Sequence, residues 1–416
     1  MKSICLIVQN VYDPDPRVRR KAEALVAAGY SVDVLALCAS HGKKRYSLNG
    51  VNVYTVSLGK NRSSLPRYFF EYATFFLWAF FRVSSQMLRR SYAVIDVNSL
   101  PDFLIFAAVL PKCLGAKLVL DMHEITPEFY MSKYRMPEDS WTIRLLKYLE
   151  RISFSFADHV ITINEPIEEL LINRGLARSK STVIMNSADE ARFGTGSSPS
   201  AVSTTRDRQR FVMMYHGTLT YIYGLDIAIE AFALAHKEMP GAELWIVGPG
   251  PERRALTDLA ERRALASRVR LVGPVTSTAI PEWLNHCDVG ILPIRRDAFL
   301  DFAFPNKLPE FIIMGKPVIV SRLMAIRRYF TEEALAYFEP HSVSDLSRQM
   351  VRIFRDPQLR IRLASKASEE HAKIRWDLMK QRYLSLIGNL IDQARNGRVS
   401  DARNKSHSRL GPFGST

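Results

Sequence analysis

Phe304-Pro305-Asn306-Lys307-Leu308-Pro309-Glu310-Phe311-Ile312-Ile313-Met314-Gly315-Lys316-Pro317-Val318-Ile319 decides the reading of this 416-residue chain. Pro305 breaks regular structure and Asn306 is a residue type that caps helices, so a short helix opens here. Gly315-Lys316-Pro317 ends it, and the apolar run that follows reads as a strand. Lys307 and Glu310 stand three apart, on one side of the first turns. A helix start with a lysine holds phosphate, and a carboxylate accepts hydrogen bonds from ribose hydroxyls. The segment therefore suits a sugar nucleotide. An ordinary surface ion pair is the plainer alternative.

Outward from this segment the second half alternates strands and helices. Its strands are expected at 211–215, 243–247, 269–272, 289–292, 317–321 and 336–338. Glycine- or proline-bearing turns follow four of them: His216-Gly217-Thr218-Leu219-Thr220, Val247-Gly248-Pro249-Gly250-Pro251, Gly273-Pro274-Val275 and Pro293. Glycine lets a ligand approach the backbone, and the threonine hydroxyls donate to phosphate. None of these turns is GxGxxG, so a dinucleotide site is unsupported.

The first half repeats the pattern, with strands at 4–8, 31–37, 51–57, 94–98, 117–121 and 159–163. Helical runs are expected at 18–28, 102–114 and 141–157. Strand–helix–strand repetition implies parallel sheets covered on both faces, with ligands at the carboxyl ends of the strands. Asp121-Met122-His123-Glu124 ends one such strand. His123 is placed to donate to a sugar hydroxyl or to act as acid or base, with Glu124 and Glu128 to orient it. Asp13-Pro14-Asp15-Pro16-Arg17 follows the first strand; it cradles a polar acceptor, or Asp15 only caps the helix.

The domain reading is 1–190, a linker at 191–210, 211–375, a helix at 376–396 returning to the first domain, and a basic tail without structure at 397–416. The linker contains the Gly/Ser/Thr-rich stretch 194–205. Two α/β halves joined this way are expected to face each other across a ligand cleft.

The formal net charge of +15 admits nucleic acid, anionic lipid or a phosphorylated substrate as partner. Four dispersed cysteines form no CxxC pair, which fits reduced thiols and a cytoplasmic protein. The N-terminal apolar run is too short for a signal peptide. Residues 68–83, YFFEYATFFLWAFFRV, hold nine aromatics. With Lys60, Arg62, Arg67, Arg89 and Arg90 around it, this run reads either as an interfacial helix on an anionic membrane or as a core helix. No carboxylate or Cys/His cluster suggests a metal.

Together these segments resemble family 4 of the glycosyltransferases, retaining enzymes of the two-domain GT-B fold. The resemblance spans roughly residues 1–395. It rests on VRRKAEALVAAGYSVDVLAL, ADHVITINEPIEELLINRG, YHGTLTYIYGLDIAIEAF, ELWIVGPGPERRAL, RVRLVGPV and the PNKLPEFIIMGKPVIVS block. It implies transfer of a sugar from a UDP- or GDP-sugar to a saccharide or lipid-linked saccharide, without metal or other cofactor. By resemblance Glu310 binds ribose and the turn at Val275 contacts the base. Gly217 and Thr218 lie under the phosphates, with Gly248, Asn306 and Lys307 on the donor side. His123 meets the transferred sugar and, with Lys307 and Glu310, forms the catalytic set. Asp15, Arg17, Asp102 and Glu124 are the acceptor-side candidates.

Three positions depart from the family pattern. Thr218 and Tyr223 stand where arginine and lysine are usual, so Lys307 is expected to supply the cation, with Arg295 or Arg296 in reserve. Phe302 stands where a glutamate usually touches the sugar, with Asp301 as substitute. The rival readings are a sugar-nucleotide epimerase and a non-catalytic membrane scaffold. A nucleic-acid binder lacks a recognisable module.

Overall fold

The computed structural model describes residues 2–39, 42–58, 65–188, 190, 193 and 210–407; for 65–69 and 396–407 it describes the backbone alone. Most of the expected linker, Lys60, Arg62, the Arg67 side chain and residues 408–416 lie outside what is described. The chain forms two compact units, Met1–Ile184 with Met379–Thr416, and Met185–Leu378.

In the first unit the described strands are β1 (Ser3–Val11), β2 (Ser31–Leu37), β3 (Arg45–Leu48), β4 (Val51–Val56), β5 (Val94–Asn98), β6 (Lys117–Met122), β7 (His159–Thr162) and β8 (Ser181–Val183). They form one sheet in the order β3-β4-β2-β1-β5-β6-β7-β8, parallel except for the β3–β4 pair. Ile4, Cys5, Leu6 and Ile7 are all fully buried, as expected for a strand covered on both faces. The covering helices are α1 (Pro16–Ala27), α2 (Leu65–Arg90), α3 (Val109–Cys113), α4 (Thr126–Tyr134), α5 (Trp141–Phe156) and α6 (Glu165–Asn173). The helical run expected at 102–114 divides into a 3-10 segment, Asp102–Ala108, and α3.

The aromatic helix α2 has two faces. Phe75, Ala79, Val83 and Met87 are buried, while Phe70, Leu77, Phe81 and Leu88 are more than half exposed. Each set recurs at helical spacing, so core and solvent take opposite stripes of one helix. Among the described residues no helix is long and apolar enough to cross a membrane.

In the second unit β9 (Phe211–His216), β10 (Ala242–Val247), β11 (Val269–Leu271), β12 (Val289–Leu292), β13 (Val318–Ser321) and β14 (Ala336–Phe338) make an all-parallel sheet, ordered β11-β10-β9-β12-β13-β14. Its helices are α7 (Leu225–Ala235), α8 (Arg253–Arg262), α9 (Ile280–Asn285), α10 (Lys307–Ile313), α11 (Met324–Arg327), α12 (Val343–Arg355) and α13 (Pro357–His371).

The last helix, α14 (Trp376–His407), starts in the second unit and belongs to the first from Met379 onward. It continues past Asn396 into the tail expected to lack structure. No proline interrupts it, and Gly397 costs a helix only about 1 kcal/mol against alanine.

Candidate active site

In the second unit the turns after three neighbouring strands are tied to one another. The Gly217 N–H donates to Val247 O at 2.8 Å, Leu219 N–H to Pro249 O at 2.8 Å, and Gly248 N–H to Gly273 O at 3.0 Å. The turns carrying Gly217, Gly248 and Gly273-Pro274-Val275 thus form one rim at the carboxyl ends of β9, β10 and β11. Gly217 has φ +125°, and a Cβ there would stand 2.1 Å from Lys307 Cε. Gly248 has φ +139°, and its Cβ would meet Gly217 O at 2.0 Å. Only glycine fits such close approach in this backbone region.

The α10 side chains reach this rim. The Lys307 ammonium lies 4.0 Å from the ring centre of Tyr223 and 5.4 Å from that of Tyr215. One turn on, Glu310 Oε2 lies 3.3 Å from His216 Nε2. The contact is off the line of a hydrogen bond, since His216 Nε2 has no hydrogen-bond partner. Burial, and then the Lys307 charge, push the His216 pKa down to about 3. The imidazole is therefore neutral at pH 7.

The structure thus brings Gly217, Lys307 and Glu310 together, as the sequence led us to expect. It also adds His216, which reads in the sequence only as the start of a turn. Asn306 does not act as the expected cap: its backbone is helical and its side chain makes no cap hydrogen bond. The Lys307 side chain brings positive charge to the Gly217 turn, and the Arg253 guanidinium brings it to the Gly273 turn, donating to Leu271 O at 3.1 Å. Thr218 is exposed beside the rim, and its carbonyl accepts from the Tyr215 hydroxyl at 2.9 Å.

The reserve residues have other work. Arg295 pairs with Asp226, donates to Tyr221 O at 3.0 Å and stacks on the Tyr221 ring. Arg296 donates to the Arg322 carbonyl and lies near Asp301. Asp301 itself accepts the Met324 N–H at 2.9 Å, so this carboxylate serves the local backbone.

In the first unit His123 follows β6 and is 5% exposed. Its Nε2 lies 2.9 Å from Asp121 Oδ2 and 3.0 Å from Asn98 Oδ1, while Nδ1 has no hydrogen-bond partner. The groups that orient it are therefore Asp121 and Asn98. Glu128, expected in that role, is bound by Arg174 together with Glu150. Burial pushes the His123 pKa down, against the opposing pull of Asp121. Burial would raise Asp121, but His123 and Lys21 outweigh it and hold the carboxyl below the usual range. Behind this pair, burial and the Asp121 charge push Asp96 up to about 7. The Tyr383 hydroxyl of α14 donates to Asp96 Oδ2 at 2.7 Å.

A pocket of about 200 Å³ opens at the same sheet edge, with Asn10, Arg17, Glu71, Tyr72, Glu124 and Phe129 in its walls. Arg17 and Glu124 were expected there. Glu71 and Tyr72 come from α2, the helix of the aromatic run. Asp15 is not in the wall. It is buried, caps α1 through Arg17 N–H, and grips the Arg17 guanidinium at 3.1 and 3.0 Å. Burial acts to raise its pKa, but Arg17 and Asn10 hold it down at about 2. Asp102 is also outside the wall. It is buried, accepts from Thr126 Oγ1 at 2.8 Å, and burial pushes it up to about 7.

Comparison with known proteins agrees with this architecture. The family described as "Glycosyl transferases group 1" matches residues 210–356, and the "Glycosyl transferase 4-like domain" matches residues 14–187. Glycogen synthase of Mycobacterium tuberculosis is 24% identical over 372 residues, covering 85% of this chain and 84% of that protein. The fold is similar to sucrose-phosphate synthase from Thermosynechococcus elongatus, with TM-score 0.74, 19% identity, and coverage of 94% of this chain and 100% of that one. It is similar as well to Anabaena HepE, solved in complex with UDP-glucose, with TM-score 0.69, 18% identity and coverage of 94% and 100%. Matched across both of its units, the chain belongs to the group 1, family 4 glycosyltransferases of the GT-B fold and is an enzyme of the glycosyltransferase class.

Proposed function

We propose that the enzyme transfers a hexose from a nucleoside diphosphate sugar to a saccharide or lipid-linked saccharide, with retention at the anomeric carbon. The observation that carries this reading is the cluster of Lys307, Glu310 and His216 over Gly217. A lysine ammonium beside a glycine turn fits a diphosphate, and a carboxylate one helical turn away fits ribose hydroxyls. The UDP-glucose complex of HepE supports UDP before GDP as the nucleotide.

In this reading the bond from the anomeric carbon to the phosphate oxygen breaks, and a bond to the acceptor oxygen forms on the same face. The acceptor's proton passes to the departing diphosphate. The products are the nucleoside diphosphate and the lengthened saccharide. Lys307 offsets the charge that grows on the leaving group, so the step proceeds without a metal ion. The pocket beside His123 takes the acceptor. Tyr72 and Phe129 offer ring faces, while Glu71 and Glu124 accept from sugar hydroxyls.

A membrane-bound acceptor is favoured by the outer stripe of α2 and by α5. On α5, Trp141, Leu145 and Tyr148 are exposed beside Arg144 and Arg151. Aromatic and basic residues on one helix face suit an anionic lipid surface. The enzyme then works as a peripheral protein on a cytoplasmic membrane face.

Calorimetric titration with UDP, GDP and UDP-glucose tests the donor reading. UDP should bind the wild type, and Glu310→Ala and Lys307→Ala should each lose on the order of 2–4 kcal/mol of donor use. Undiminished binding and turnover in both variants would remove the reading.

A further inference from the structure

We propose that Tyr223, backed by Tyr215, is a positioning residue that holds the Lys307 ammonium over the Gly217 backbone. The inference rests on the donor reading given above and adds to it the residue that sets the cation in place. Tyr223 ends the 3-10 turn Tyr221–Tyr223 and Tyr215 lies in β9. Their ring centres are 5.8 Å apart with planes inclined at 50°. Tyr215 is 1% exposed, and its hydroxyl is fixed on Thr218 O at 2.9 Å. It therefore forms a rigid floor for Tyr223.

The ammonium stands 4.0 Å from the Tyr223 ring centre, inside the range in which a ring face attracts a cation. The lysine's aliphatic stem crosses the place where a Cβ of Gly217 would be. A lysine stem is long and loses much rotamer freedom when fixed. Two rings that receive its head lower that loss before any ligand arrives, which is how a preformed site gains affinity. Because a ring holds the cation without neutralising it, the full charge stays available to a diphosphate. A carboxylate in the same place would cancel it.

The test compares Tyr223→Phe, which keeps the ring face, with Tyr223→Leu, which removes it. UDP is the probe, with Lys307→Met as a second background. Tyr223→Leu should weaken UDP binding roughly ten-fold, and Tyr223→Phe less than about two-fold. Within Lys307→Met, Tyr223→Leu should add less than about two-fold, since its partner is already gone. An equal loss for Phe and Leu, or the same loss in both backgrounds, overturns the proposal.

A second measurement needs no nucleotide. In protein labelled with 13C-lysine, the Lys307 CεH2 signal, assigned by its disappearance in Lys307→Met, should be shifted upfield by the ring. It should move toward the free-lysine position in Tyr223→Leu and stay in Tyr223→Phe. An unshifted wild-type signal overturns the ring contact itself. A correct ring shift together with UDP binding that ignores Lys307→Met and Glu310→Ala would instead overturn the donor reading, and with it the role assigned to Tyr223.

Discussion

His123 Nε2 lies 2.9 Å from Asp121 Oδ2, the same carboxylate oxygen that Lys21 holds from α1. All three side chains are buried. The imidazole thus has its orientation fixed from inside the sheet, through a charge pair that costs much to break once desolvated.

Replacing His123 by alanine should lower the turnover number by at least ten-fold while leaving UDP binding near the wild-type value. The residue belongs to the first unit and the cluster around Lys307 to the second. Steady-state kinetics beside UDP titration gives both quantities. A weakened UDP affinity with normal turnover would contradict the assignment.

The Asp102 carboxyl titrates at about 7 in the folded protein against an ordinary 3.8, because it is buried. The folded state therefore keeps a proton that the unfolded chain releases. Its stabilising effect is complete below the ordinary value and fades as pH rises toward 7. Asp102→Asn should flatten the fall in stability across this window and leave activity intact. Urea denaturation at several pH values reads it; an unchanged slope would show that Asp102 does not hold the proton.

Changing Phe70, Leu77, Phe81 and Leu88 to serine should leave the protein folded and abolish its binding to anionic vesicles. Phe75→Ser, on the buried stripe, should instead cost about 3–5 kcal/mol of stability. Arg89, Arg144 and Arg151 contribute attraction of about 1 kcal/mol each near a charged surface, so binding should fall with added salt. Vesicle flotation and thermal melts distinguish the stripes. A folded serine variant that still floats with vesicles would exclude the membrane role.

In the proposed reading Lys307 offsets the charge on the leaving group, so turnover should be unchanged by EDTA. Loss of activity on chelation, restored by magnesium or manganese, would show that an ion performs this task.

Residues buried on both faces were the easiest to read. The strands Ser31–Leu37, Val94–Asn98, Val289–Leu292 and Ala336–Phe338 have the bounds expected, since predominantly apolar runs mark doubly covered strands. The edge strands β3 and β8 were missed because Arg45-Tyr46-Ser47-Leu48 and Ser181-Thr182-Val183 carry no such run. Helix α6 was missed although Asn164 caps it and Pro166 stands in its first turn, a signal available in the sequence.

At the candidate site the short-range relation of Lys307 to Glu310 was legible as a three-residue spacing. Lys21 and Asp121 are 100 residues apart and meet only through the sheet. No local pattern records such a pair. Tyr72 was hidden for a different reason: among so many aromatics, nothing local marks the ring that faces a pocket.

The passage of α14 into the first unit has a consequence for biosynthesis. The ribosome makes β1 to β8 first, yet Tyr383, Ile387 and the other α14 residues buried in that unit emerge only after the whole second unit. Until then Asp96 has no phenol donating to it and the surface that these residues cover lies bare, the kind of exposure that invites aggregation. A fragment ending at Ile184 should accordingly bind the dye ANS and precipitate, and a peptide of residues 376–407 added in trans should suppress both. A soluble fragment that ignores the peptide would show that the first unit completes itself without its last helix.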